Sequence, residues 1–342
     1  MCTIGTMPSL PNIIAEAGVN HNGSLDLAKK LCVAAVEAGA NSIKFQTFTT
    51  EDLASKHTPK VDYQKKFDRN ATHFEMLKKL ELSFDDQILV KNFCDDIGIE
   101  FFSTPYGIKE ATFLNQIGVK TFKVASADIV DIPLHETIAS FQKFTIISTG
   151  MADAKEIQEV VSIYRLNNCR FALLHTTSQY PTPIENSNLK RITALRDLFD
   201  CEVGFSDHTE DSTAALIAAG LGANIFEKHF TLDRDLDGPD HKASADPRQL
   251  KRYIEQIHLA RLALGEPSFI RTKEEEGMAL TSRKSLHTSK ELVKGHAIAL
   301  EDLRLMRPGS GMYWSQKNAI IGRTLDKDLP ENSLITLDDF RD

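Results

Sequence analysis

Two histidines, two lysines and two glutamates fall at the ends of short β-branched or aromatic runs, where together they could hold an anion and a metal ion. His208 closes EVGFSDH and His229 closes NIFEKH, two successive runs of this kind. Neighbouring strands of one sheet lie ~4.8 Å apart, so both imidazoles can reach one cation. Two histidines leave positions open for water and substrate, which suits Mn²⁺, Zn²⁺ or a similar ion as a Lewis acid. Two ordinary hydrogen-bonded histidines are the alternative. Glu227 precedes His229 by two residues, hence on the same face of a strand, and is a natural supporting carboxylate or general base. Lys44 and Lys123 end two other runs. Either they take a phosphate or carboxylate, with Ser126, Ser148 and Ser206 as hydroxyl donors, or each pairs with Glu16 or Glu227.

Such groups need a scaffold that gathers strand ends. Strands are predicted near Asn12–Gly18, Ser42–Phe48, Glu100–Pro105, Thr121–Ser126, Phe144–Gly150, Arg170–Thr177, Glu202–His208 and Asn224–Thr231. Their last residues include Glu16; Lys44 and Gln46; Ser103 and Thr104; Lys123 and Ser126; Ser148 and Thr149; His175 and Thr177; Asp207 and His208; Glu227 and His229. Amphipathic stretches such as Leu25–Ala38, Asp211–Leu221 and Pro247–Leu264 lie between them. Eight β–α units predict a parallel sheet closed into a (β/α)8 TIM barrel, whose catalytic groups sit at C-terminal strand ends. An open doubly wound sheet is the rival. Polar turn residues and helix caps account for the Ser and Thr, but poorly for two Lys, two Glu and three His on one rim. Thr49–Leu82 is too long for a simple connection and reads as an insertion over the mouth, with a helix around Thr72–Leu80. The turn GVNHNGS (Gly18–Ser24) matches neither a P-loop nor a dinucleotide fingerprint. A structural role, with Gly and Asn in left-handed turns and Ser24 as N-cap, is one reading of it.

Composition shifts at Gly265. Residues 1–265 form the predicted barrel, 266–283 a linker whose three successive Glu are a solvated face, and 284–342 a small β-rich module. Within that module KGHAIALEDL and ENSLITLDDF point to an internal duplication. The 342 residues carry 40 Lys and Arg against 48 Asp and Glu, a net charge of −8 without a basic block, which argues against a nucleic-acid groove. No apolar run approaches ~18 residues, so no membrane span is expected. The start lacks a basic and then apolar leader pattern. The five cysteines, Cys2, Cys32, Cys94, Cys169 and Cys201, are scattered and never form C-x-x-C. Reduced thiols in a cytoplasm are therefore expected rather than zinc or disulfides.

In order along the chain, IAEAGVNHNG, IKFQTF, FSTPY, FKVAS, ISTGM, LLHTTSQYPTP, VGFSDHT, FEKHFT and GPDHKAS resemble the N-acetylneuraminate (sialic acid) synthase family. DLRLMRPGSG and GRTLDKDL resemble that family's C-terminal antifreeze-like (SAF, β-clip) domain. The resemblance implies condensation of phosphoenolpyruvate with an N-acetylated hexose in its open-chain aldehyde form. The expected pair is N-acetylmannosamine and N-acetylneuraminate. The alternative is a 2,4-diacetamido-2,4,6-trideoxyhexose giving legionaminic or pseudaminic acid, and GPDH in place of GPDA argues against pseudaminic. It further implies Mn²⁺, with Mg²⁺ or Co²⁺ as options, on His208 and His229, polarising the aldehyde and holding the attacking water. Phosphoenolpyruvate falls to Lys44, Thr104, Lys123, Ser126, Ser148 and Ser206, and the sugar to Gln46, Tyr180 and Asp240. Glu16 and Glu227 match acidic active-site residues, and Lys123 joins them in the catalytic set. A domain-swapped homodimer would bring Arg307, from the RPGSG turn, to the partner's site.

Two positions depart from the family pattern. SAD at Ser126–Asp128 stands where many members have SGE, and Ser178 stands where some have Asn. The shorter Asp128 carboxylate bears on that residue's own role, and the smaller Ser178 on the sugar pocket. Two other functions compete. A barrel acting on a phosphorylated sugar would need further basic residues at the mouth, and a sugar- or ice-binding protein would not need the intact Lys, His and Glu set.

Overall fold

The computed structural model of the chain describes residues 10–55 and 72–340. Cys2 and the first residues of the chain lie outside that range, as does the middle of the predicted insertion. Eight parallel strands close on themselves in sequence order: β1 Asn12–Gly18, β2 Ser42–Thr47, β3 Glu100–Pro105, β4 Thr121–Val124, β5 Phe144–Ser148, β6 Phe171–Thr176, β7 Glu202–Asp207 and β8 Ile225–His229. β1 pairs with both β2 and β8, so the sheet has no edge, and the open doubly wound alternative is excluded. β4 stops at Val124, two residues before the expected end, because Ser126–Val130 turns into a 3-10 helix.

Most of the longer helices start where polar side chains satisfy free amides. Ser24, Ser83, Asp131, Asp153 and Asp246 each accept a backbone N–H at a helix start. The expected mouth helix spans His73–Leu80, closed at its start by a reciprocal Thr72–Glu75 capping box. Outward strand residues pack under the helices, while alternate residues point into the barrel. At its base Ile14, Phe102, Ile146, Ala172, Leu174 and Ile225 form an apolar plug. Gly204 makes the plug possible, since a Cβ there would meet the Ile225 carbonyl oxygen at 2.3 Å. Two residues further along their strands stand Glu16, Thr104, Ser148, Ser206 and Glu227. The polar site is thus the layer stacked directly on the plug.

The chain divides into two compact units at Gly265. The stretch read as a linker is corrected in one respect: it contains the helix Lys273–Ser282, started by a Thr272–Glu275 capping box, with Ala279 buried and the three Glu exposed. In the second unit, β9 Ser285–Thr288 pairs antiparallel with β10 Leu303–Met306. Its two similar phrases fold alike. Gly295 and Asn332 take left-handed turn conformations, and a 3-10 turn follows each. Buried Asp302 and Asp339 accept the amides of Ala299 and Thr336 and are neutralised by Lys290 (2.8 Å) and Lys327 (2.6 Å). Leu292 and Leu329, two residues before each phrase, exchange backbone hydrogen bonds with each other.

Candidate active site

A cavity of about 950 Å³ opens at the C-terminal ends of the strands. It is lined by Glu16, Lys44, Gln46, Thr104, Lys123, Ser126, Ser148, Tyr180, Ser206, His208, Glu227, His229 and Asp240, residues from all eight β–α units. Arg307 belongs to the second unit. Asp128 is not among the lining residues. Four rim residues of the strand-end reading turn outward instead: His175, Thr149, Asp207 and Ser103, the last hydrogen-bonded to Thr47 at 2.7 Å. His175 hydrogen-bonds the Ser187 carbonyl at 2.6 Å and stacks on Phe205, while Thr149 donates to the Leu174 carbonyl and Asp207 points away from the mouth. The period of two in β6 explains the first: Leu174 and Thr176 face in, so His175 cannot.

The floor is a buried charge cluster. Lys44 Nζ lies 2.8 Å from Glu16 Oε2 and 3.7 Å from Glu227 Oε2, and donates to Thr104 Oγ1 at 3.1 Å. Lys44 is therefore paired, as the second of the two sequence readings had it. Lys123 Nζ donates to Ser148 Oγ at 2.7 Å and to the Val124 carbonyl at 2.9 Å, with Glu227 at 4.0 Å. Ser206 donates to Glu227 Oε1 at 2.9 Å and Gln46 to Glu16 Oε1 at 3.1 Å.

Burial drives the Glu16 carboxyl up to about 7, with Lys44 opposing and Glu227 adding repulsion. Burial pushes Glu227 the same way, but Lys123, Lys44 and the Ser206 hydrogen bond outweigh it and hold Glu227 down at about 2. For Lys123, burial lowers the ammonium to about 8 against the attraction of Glu227. Two carboxylates pushed apart in this way divide the labour. Glu227 keeps its charge between the lysines, and Glu16 exchanges a proton near neutrality. When Glu16 is protonated the four-residue cluster carries a net positive charge, which favours an anion.

Above the floor, His208 and His229 face each other with ring centroids 5.4 Å apart, and Tyr180 lies 4.0 Å from the His208 ring. Burial lowers His208 to about 4 and His229, also repelled by His208, to about 3. Both are neutral at physiological pH. His208 Nδ1 donates to the Thr177 carbonyl at 2.7 Å, which leaves the Nε2 lone pair available. Asp240 Oδ2 is 3.9 Å from His229 Nδ1. Among the described residues no three His, Cys, Asp or Glu converge as a complete ligand set. Two neutral imidazoles and a nearby carboxylate nevertheless fit a divalent cation that keeps positions for substrate and water.

Comparison with known proteins shows the family. The NeuB family profile matches residues 31–268 and the SAF domain profile residues 283–341. The N,N'-diacetyllegionaminic acid synthase of Legionella pneumophila is 42% identical over 93% of this chain and 91% of its own. That of Campylobacter jejuni is 39% identical over 94% and 98%. The crystal structure of N-acetylneuraminic acid (sialic acid) synthetase from Leptospira borgpetersenii superposes with a TM-score of 0.71 at 34% identity, covering 79% of this chain and 90% of that one. The chain belongs to the NeuB family.

Two features of this NeuB-family enzyme were not legible from residue types. In the NHNG turn, Asn20 Nδ2 donates to the Phe230 carbonyl and to Ser244 Oγ, both at 2.9 Å, and Asn22 Nδ2 to the Asp237 carbonyl at 2.7 Å. Beyond the left-handed turn of Asn22 and Gly23 and the Ser24 cap, the motif thus clamps the loop that presents Asp240. No local signal marks that partner, more than 200 residues away.

The second is the pair Asp207 and Lys228, embedded in the SDH and KH phrases but facing outward. They lie 3.4 Å apart, both almost fully buried, and Lys228 also donates to the Thr209 carbonyl. The pair cross-links β7 to β8, already paired through their backbones, beside His208 and His229. Lys228→Met leaves the Asp207 charge buried without its counter-ion, which costs about 3–5 kcal/mol. A urea unfolding curve should show that loss. A change under about 1 kcal/mol would mean that the pair does not hold the strands.

Proposed function

We propose that this enzyme condenses phosphoenolpyruvate with the aldehyde form of a 2,4-diacetamido-2,4,6-trideoxyhexose, giving a legionaminic-acid-type nine-carbon 2-keto acid and phosphate. The observation that carries the choice of sugar is the 42% and 39% identity with the two legionaminic acid synthases, against 34% with the sialic acid synthetase. N-acetylmannosamine, the acceptor expected from sequence, becomes the second reading.

Carbon 3 of phosphoenolpyruvate attacks the aldehyde carbon, whose oxygen takes up a proton. Water adds at carbon 2 and gives up one proton, and the resulting hydroxyl gives up its other proton to become the ketone as the carbon–oxygen bond to phosphate breaks and phosphate leaves. Lys123, Ser126, Ser148, Ser206 and Thr104 hold the phosphate and carboxylate by hydrogen bonds, and Lys44, paired with Glu16 in the resting site, joins them once Glu16 takes up a proton. Glu16, titrating near neutrality, moves the proton, and Glu227 keeps both lysines charged and oriented. Gln46, Tyr180 and Asp240 orient the sugar. His208 and His229 would hold a divalent metal, Mn²⁺ foremost and Mg²⁺ or Co²⁺ as options. Such an ion supplies Lewis acidity for the aldehyde oxygen.

Phosphate release from phosphoenolpyruvate with a panel of acetamido sugars, with and without EDTA, tests this reading. Turnover confined to the diacetamido sugar and abolished by EDTA supports it, and release with no sugar of the panel overturns it.

The partner is a second copy of this chain, exchanging SAF domains so that Arg307 completes the other protomer's sugar site. A guanidinium fork suits sugar amide and hydroxyl oxygens, and exchange closes as a two-fold dimer. Arg307→Ala and His208→Ala, each inactive alone, should regain activity when mixed, because one site of the mixed dimer has both groups. No recovery despite mixed dimers would mean that Arg307 acts within its own chain or not at all.

A further inference from the structure

We infer that the His73–Leu80 helix, with Val19, Phe48 and Leu53, forms the specificity wall of the sugar pocket, an apolar surface that receives the methyl groups of the acceptor. This rests on the diacetamido reading of the sugar and places its C4–C6 end.

Above the ends of β1–β3 the cavity is lined by Met76, Leu77 and Leu80 of the His73–Leu80 helix together with Val19, Phe48 and Leu53. In a closed eight-stranded barrel this side lies across the mouth from β5–β7, so it faces the half of the rim that carries Tyr180 and His208. Val19, Phe48, Ala54, Met76, Leu77 and Leu80 form one packed cluster, with Leu53 and Tyr106 against it. None of the six lining side chains named offers a hydrogen bond. Tyr106, its ring edge-on to Phe48, and His73 are the polar members of that side.

The wall is held in place. Glu81, just after the helix, accepts from the Thr50 amide at 3.0 Å and the Thr50 hydroxyl at 2.7 Å. Lys78 bridges Glu51 and Glu81 on the outer side. The helix therefore presents one fixed apolar face to the cavity.

The chemistry of the acceptor decides what suits such a face. Its aldehyde end must meet phosphoenolpyruvate at the charged floor, which leaves C4–C6 to reach the wall. A hexose with hydroxyls at C4 and C6 would lose water against the six apolar side chains and keep only Tyr106 and His73 as polar neighbours on that side, roughly a tenfold penalty for each hydroxyl left on the apolar face. A 6-deoxy sugar with a C4 acetamido group sets two methyls against them instead, each worth about fourfold when buried, while the amide N–H and C=O turn to the polar part of the cavity, where Tyr106 stands. The wall thus selects by what it lacks.

The test is the ratio of kcat/KM for the diacetamido trideoxy sugar to that for N-acetylmannosamine. Met76→Gln keeps side-chain length and adds an amide, and Met76→Leu is the apolar control. Met76→Gln should lower the ratio about tenfold through the sugar KM, with the KM for phosphoenolpyruvate unchanged, and Met76→Leu should preserve it. Should Met76→Gln fail to fold, Leu53→Asn at the partly exposed edge of the cluster serves in its place. An unchanged ratio in a folded variant, or equal loss with both sugars, would overturn the inference and make the cluster mere packing. A wild-type enzyme that prefers N-acetylmannosamine would overturn the acceptor reading itself, a result visible before any variant is made.

Discussion

Lys123→Met is expected to raise the dissociation constant for phosphoenolpyruvate about ten- to a hundredfold. The side chain is buried and ends among Ser148, the Val124 carbonyl and Glu227. A charge-assisted hydrogen bond from such a group is worth about 1.5–3 kcal/mol, and methionine keeps the length without the charge. The same residue sets a pH limb. With burial holding the ammonium at about 8, the wild-type site carries this charge below that pH and loses it above. Affinity should therefore fall as pH rises through about 8, by up to roughly tenfold per unit for one proton. Lys44 is held above the usual lysine range, because its two carboxylate neighbours outweigh burial, and does not contribute to this limb. Calorimetric titration from pH 6 to 9.5 should show a fall near 7 as Glu16 ionises in both the wild type and Lys123→Met, and the further fall near 8 in the wild type alone. A dissociation constant that hardly changes would make Lys123 a structural partner of Glu227.

His208→Ala should reduce turnover by more than about a hundredfold, since even groups that only support metal ligands cost 10–100-fold when lost. The Mn²⁺ affinity, measured by electron paramagnetic resonance of the free ion, should weaken in parallel. The fold should survive, because the substitution removes one ring and one hydrogen bond, to the Thr177 carbonyl, at the cavity edge. Removing metal from the wild type with EDTA should abolish activity and Mn²⁺ should restore it. Undiminished turnover of His208→Ala in excess chelator would refute the metal role.

The local pattern of the chain already held the frame of these results. Eight apolar runs with polar ends, separated by capped amphipathic segments, gave strand positions within a residue or two of those observed, because side-chain alternation and helix caps are short-range physics. They also marked Glu16, Lys44, Lys123, His208, Glu227 and His229, whose shared place at strand ends becomes one cavity once the sheet closes. Tertiary structure decided the rest. Whether a strand-end residue faces the mouth depends on barrel phase, which sends His175 and Asp207 outward and their neighbours in. Whether Lys44 meets an anion or a carboxylate depends on β1 lying beside β2 in register, Glu16 opposite Lys44. The Asn20 clamp, the Asp207–Lys228 link and the apolar wall each join residues from separate segments of the chain. Such contacts follow from packing the whole chain at close distance, and no window of sequence contains both partners.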